Sequence, residues 1–108
     1  MMKKFLLFIP LLLAVACTKD PSNIKYTASG DGPAGITVDY VDGNGIHQSY
    51  TGASPWESSF TAKSGTSLSV SGGSGSFGTS SVHIYINGVD KANDTETGNN
   101  ATAKTTVP

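Results

Sequence analysis

Between residues 24 and 107, apolar and polar residues alternate with period two in a series of short stretches, and no window of ten or more residues after position 17 repeats apolar positions at three and four. The pattern predicts strands and essentially no helix. The first is 24–28, Ile-Lys-Tyr-Thr-Ala, with Ile24 and Tyr26 on one face. The second is 36–40, where Ile36, Val38 and Tyr40 face one way and Thr37 and Asp39 the other. A return strand follows at 46–51, with Ile46 counted among the core. Strands at 57–62 and 66–71 send Phe60, Leu68 and Val70 inward, and Val82, Ile84 and Ile86 make 82–86 the most strongly patterned. Weaker patterns at 89–96 and 101–107 suit edge strands.

The punctuation between these runs agrees with the strands. Gly30-Asp31-Gly32-Pro33 stops the first, and Asp42-Gly43-Asn44-Gly45 and Asn87-Gly88 supply the positive-φ residues of tight hairpins. Lys63-Ser64-Gly65 joins two further strands. Seven or eight short antiparallel strands at this spacing form a sandwich or barrel. The expected fold is an all-β, small antiparallel immunoglobulin-like β-sandwich spanning 24–108.

Residues 1–16 follow another rule. Lys3 and Lys4 precede an apolar stretch, 5–16, that is far shorter than the roughly 20 residues needed to span a bilayer, which marks a signal peptide. The stretch ends in Leu13-Ala14-Val15-Ala16-Cys17 and closely resembles the lipobox of bacterial lipoprotein precursors, with Ala14 where leucine is commoner. That resemblance implies cleavage before Cys17, a diacylglyceryl group on its sulfur and acylation of its freed amine, for instance with palmitate. Two acyl chains suffice for stable anchoring. The mature chain is then 17–108, with 17–23 a polar tether containing Pro21.

Charge narrows the partners. In 17–108, five lysines stand against eight acidic residues, a net of −3, and the whole chain has no arginine. Without a basic cluster the surface cannot neutralise a phosphate backbone, so nucleic acid is not an expected partner. Cys17 is the single cysteine, which excludes an intramolecular disulfide and leaves stability to a light core.

Taken in order, Tyr26 and Gly30, Ile36-Thr37-Val38-Asp39-Tyr40, Asp42-Gly43-Asn44-Gly45, Pro55-Trp56, Leu68-Ser69-Val70, Val82-His83-Ile84-Tyr85-Ile86-Asn87-Gly88 and Thr97-Gly98 resemble the MmpS-like family. The resemblance implies a small exported β-sandwich attached to a membrane by its N-terminus, an accessory to an envelope assembly. Lipid exporters of that family have a transmembrane helix where this chain has a lipobox. They also often carry a cysteine pair that would fall near Val82 and Thr105, where this chain has none.

Candidate chemistry is sparse. His47 and His83 have no second His, Cys or carboxylate at ligand spacing, and Asp39, Asp42 and Asn44 lack the pattern of a calcium loop and read as turn-formers. Residues 72–78 are glycine- and serine-rich, but no helix N-terminus and lysine follow to make a phosphate cradle, so the segment reads as a loop. Glu57 and Asp39 form a carboxylate pair only if the fold brings them together. No enzyme, metal or cofactor is expected. The remaining candidates are Cys17 as the lipid attachment site, His83 and Tyr85 as a partner surface on the polar face of their strand, and Trp56, expected to plug the core.

These observations give the expectation of a lipid-anchored envelope protein whose sandwich contacts an envelope protein, at the outer membrane or cell surface. Asp20 stands three residues after Cys17 rather than next to it, so the inner-membrane retention signal of some Gram-negative bacteria is not met. Two alternatives are a carbohydrate-binding module, for which only Tyr50, Trp56 and Tyr85 are available, and a structural spacer.

Overall fold

The structure, a computed structural model, describes residues 20–32, 35–74 and 78–108. The expected signal peptide, Cys17 and the start of the expected tether lie outside these residues, as do Pro33 and the centre of the 72–78 segment. Eight strands follow one another: β1 Ser22–Gly30, β2 Ile36–Val41, β3 His47–Gly52, β4 Trp56–Ala62, β5 Ser67–Gly73, β6 Thr79–Ile86, β7 Val89–Thr97 and β8 Ala101–Thr106. They form two antiparallel four-stranded sheets, ordered β4-β1-β6-β7 and β3-β2-β5-β8. The pair β1/β4 in one sheet interlocks with β2/β5 in the other, as the B/E and C/F pairs do in immunoglobulin-like sandwiches.

The alternation read from the sequence decides which faces meet. Ile24, Tyr26, Ile36, Val38, Leu68, Val70, Val82, Ile84 and Ile86 are all buried. The edge positions expected for the last two strands hold, since β7 and β8 each end a sheet. Asn87 and Gly88 both take positive φ, 51° and 83°, in the two-residue turn between β6 and β7. The turn at residues 63–66 carries the chain from β4 in one sheet to β5 in the other.

Three readings need correction. Ser22 and Asn23 belong to β1 rather than to a tether, because Asn23 exchanges hydrogen bonds with Asn87: Asn87 N–H donates to Asn23 O and Asn23 N–H to Asn87 Oδ1, both at 2.8 Å. Ile46 is 56% exposed and precedes β3. Its N–H is held by the Asp42 carboxylate at 3.0 Å, and the hairpin overhangs the core. Ala101, Ala103 and Val107 are buried core residues that the weak pattern of the last strand did not reveal.

The sandwich is wedge-shaped in section. β7 and β8 approach closely, which the small side chains of Ala92, Ala101 and Ala103 permit. β3 and β4, at the other side, do not touch along their backbones, and aromatic rings span the gap. Tyr40 packs on Trp56 at 4.9 Å and Tyr50 stacks on it at 5.9 Å, while Phe60 meets Tyr26 edge-on at 5.1 Å.

Tyr26 fastens the two sheets. Its ring is fully buried, and its hydroxyl crosses from β1 to donate to Val41 O at 2.6 Å and to accept from Ser69 N at 3.1 Å. Those two residues face each other where β2 meets β5. Burial pushes the phenol up to about 12; the Ser69 hydrogen bond opposes the shift and the Asp42 charge adds to it.

Candidate functional site

The outer face of the first sheet carries the polar–aromatic cluster that contains both residues expected to meet a partner. In β1 and β6 the odd-numbered positions point outward, so Lys25 lies opposite Tyr85 and Thr27 opposite His83. The Lys25 ammonium sits 5.3 Å from the centre of the Tyr85 ring, within cation–π range, and His83 stacks on the same ring at 5.9 Å and 19°. His83 and Tyr85 are both half-buried.

A β-bulge completes the cluster. Ile84 faces Ala92 while Tyr85 faces Asp90, which leaves Lys91 as the extra residue on β7. In an unbroken ladder Lys91 would face Ile84 on the core side. The bulge instead places Ala92 there and leaves Asp90 beside His83. His83 Nδ1 and Asp90 Oδ2 are 2.9 Å apart, and a carboxylate can only accept, so the imidazole donates from Nδ1. Asn93 Nδ2 donates to the same carboxylate at 3.4 Å. The His83 hydrogen bond is the chief cause that holds the Asp90 carboxyl below the usual range.

Beside the cluster lies an open groove of about 640 Å³ across β4, β1 and β6, lined by Asn23, Lys25, Ser59, Thr61 and Tyr85 among others. Its walls combine amide, hydroxyl and ammonium hydrogen-bonding groups with the apolar and aromatic residues Ile24, Phe60 and Tyr85.

The other candidates fall elsewhere. Asp42 Oδ1 accepts from Asn44 N and Ile46 N at 2.9 and 3.0 Å, and Oδ2 accepts from Gln48 Nε2 at 3.1 Å, so its carboxylate builds the hairpin. These bonds, led by the one from Ile46, lower its pKa. Asp39 accepts from the Ser49 hydroxyl. Glu57 and Asp39 stand exposed on different sheets and form no carboxylate pair. His47 is exposed at the start of β3, and among the described residues no three His, Cys, Asp or Glu side chains gather as a metal site.

Trp56 packs against the core, half-buried, between Tyr40 and Tyr50 on the open side of the wedge. Trp56→Ala is expected to cost about 2 kcal/mol, below the value for a fully buried indole because part of the ring is already exposed. Urea titration followed by circular dichroism measures this directly. An unchanged midpoint would show that the ring does not seal the core.

No model of a known protein family matches the chain, and no curated sequence matches it.

The cluster was legible in part. Placement of His83 and Tyr85 on an outward face followed from strand parity. Lys25 and Asp90 were not singled out, because their pairing depends on which strands flank β6 and on a bulge that leaves no periodic trace in Val89-Asp90-Lys91-Ala92.

Proposed function

We propose that this chain is a lipid-anchored cell-envelope protein whose β-sandwich is a non-catalytic module for binding another envelope protein. The observation that carries the reading is the single cysteine at the end of Leu13-Ala14-Val15-Ala16-Cys17, only five positions before the first strand begins at Ser22. The partner surface is the Lys25–Tyr85–His83–Asp90 face with its adjoining groove. Its groups are pre-positioned by stacking and hydrogen bonding, which lowers the entropy lost on binding. An accessory role in an envelope assembly, as the MmpS-like resemblance implies, suits an anchored domain of this size, and the outer membrane or cell surface is the proposed location.

A carbohydrate platform is the weaker reading, because its aromatics do not share a face. Tyr50 and Trp56 stack in the gap between the sheets, whereas Tyr85 lies on the outer face of the first sheet.

Cys17→Ser tests the anchor. The variant is expected to keep its signal peptide, to lack the mass of the diacylglyceryl group, and to lose partition into the detergent phase of Triton X-114. An unmodified wild-type cysteine, or unchanged partition of the variant, would refute the anchor. In crosslinking of intact cells, Tyr85→Ala should lose the adducts that wild type forms, at equal protein level; retention of the same adducts would place the partner surface elsewhere.

A further inference from the structure

One end of the sandwich is built unlike the other. β1 begins at Ser22 beside Ala62, the β6–β7 turn at Asn87 hydrogen-bonds to Asn23, and Gly65 N–H donates to Val107 O at 2.8 Å. The β2–β3 hairpin joins this group, with Gly43 packed against Phe60 and Thr61. The end at which the chain enters from Cys17 is therefore formed by the 63–66 turn, the Asn87–Gly88 turn and the 42–46 hairpin together.

The two large hydrophobic residues exposed among the described residues, Ile46 at 56% and Val89 at 54%, both belong to this end. One is in the overhanging hairpin and the other follows the Asn87–Gly88 turn. Charge divides along the same axis. Lys63 is in the end turn, and Lys25, Lys91 and Lys104 lie in the adjoining half of their strands. The acids of this half are Asp20, Asp42 and Asp90, of which Asp42 is held in its own turn and Asp90 by His83. Asp31, Asp94 and Glu96 stand toward the far end with no lysine paired across from them, and Asp39 and Glu57 are midway.

We infer that this end of the domain rests on the surface of an anionic phospholipid bilayer, with Ile46 and Val89 entering the interface and Lys63, Lys91 and Lys104 facing its headgroups. The inference rests on the proposed anchor and deepens it. From Cys17 to Ser22 the chain spans at most about 18 Å even when fully extended, so a lipidated Cys17 keeps this end within reach of the membrane. Exposed apolar side chains at an end that carries four lysines against three acids, opposite an end that carries acids alone, suit an interface that is apolar beneath and negatively charged above. The acidic far end is repelled by that surface, which fixes the direction in which the domain stands. The Lys25–Tyr85 face then points sideways, open to a partner.

The test uses the mature lipidated protein on vesicles of phosphatidylcholine with or without phosphatidylglycerol. A thioether-linked Cys17 has no free thiol, so Ile46→Cys, Val89→Cys and, at the far end, Asn99→Cys each provide one site for an environment-sensitive fluorophore. Labels at 46 and 89 should shift to the blue on vesicles containing phosphatidylglycerol and be quenched by lipids brominated near the headgroup, with both effects reversed by high salt. The label at 99 and Trp56, about 20 Å from this end, should be neither shifted nor quenched. Lys63→Glu combined with Lys91→Glu should abolish the dependence on phosphatidylglycerol. If all three labels behave alike while the protein stays on the vesicles, the domain stands free on its tether; the inference is then overturned and the anchor survives. If mass spectrometry shows Cys17 without lipid, both fall.

Discussion

Tyr26→Phe is expected to destabilise the domain by about 2–3 kcal/mol, although it removes a single oxygen atom. The hydroxyl is donor to Val41 O and acceptor from Ser69 N, so its loss leaves a backbone carbonyl and a backbone amide short of a partner between the sheets. For a domain of this size the melting temperature should fall by roughly 10 °C or more. The same contact sets a pH dependence. The folded phenol titrates at about 12 against 10 in the unfolded chain, so the unfolded state loses its proton first as pH rises. The stabilisation is intact below pH 10 and is lost between about 10 and 12, at up to about 1.4 kcal/mol per pH unit from this group. Urea titrations of wild type and variant across that range should converge as pH rises. A gap that stays constant would mean that the phenol is not held neutral by the fold.

Gly73→Ala should have a comparable or larger effect by a different route. Gly73 ends β5 with φ at +136°, a region closed to residues with a side chain, and an added Cβ would collide with Ser80 Oγ and Cβ. Ser80 is itself fully buried, and its Oγ accepts from Ser74 N at 3.0 Å, so it has no free space in which to move. Backbone strain and overpacking together should cost about 3 kcal/mol or more. Ser80→Ala is the control: it removes the hydrogen bond without adding bulk and should cost about 1 kcal/mol. Equal destabilisation of the two variants would show that the hydrogen bond, rather than the close approach of the sheets, governs this corner.

The strands were legible because period-two alternation is imposed by burial of one face, and β2 and β6 carry that alternation without interruption. Ile46 misled because parity says which way a side chain points and not whether anything lies opposite; Asp42 folds the hairpin past the end of the core. Ala101 and Ala103 were hidden for the opposite reason. Their small side chains give a faint hydrophobic signal, yet small size is what lets β7 and β8 draw together. Tyr26 could be assigned to the core from its neighbours, but the bonds of its hydroxyl depend on two residues of the other sheet, 15 and 43 positions away along the chain. The partner surface was half visible for a related reason, since His83 and Tyr85 share a strand while Lys25 and Asp90 reach them only through the sheet order.

The position of β1 has a mechanical consequence. It is an inner strand, paired along seven positions with β4 on one side and seven with β6 on the other. A pull delivered through the segment before Ser22 acts along the strand axis, perpendicular to those hydrogen bonds. It loads both ladders in shear, so many bonds must yield together, whereas an edge strand peeled from its end would lose them one at a time. A domain held at its N-terminus and tugged from its far side would therefore resist at the point where the force enters it.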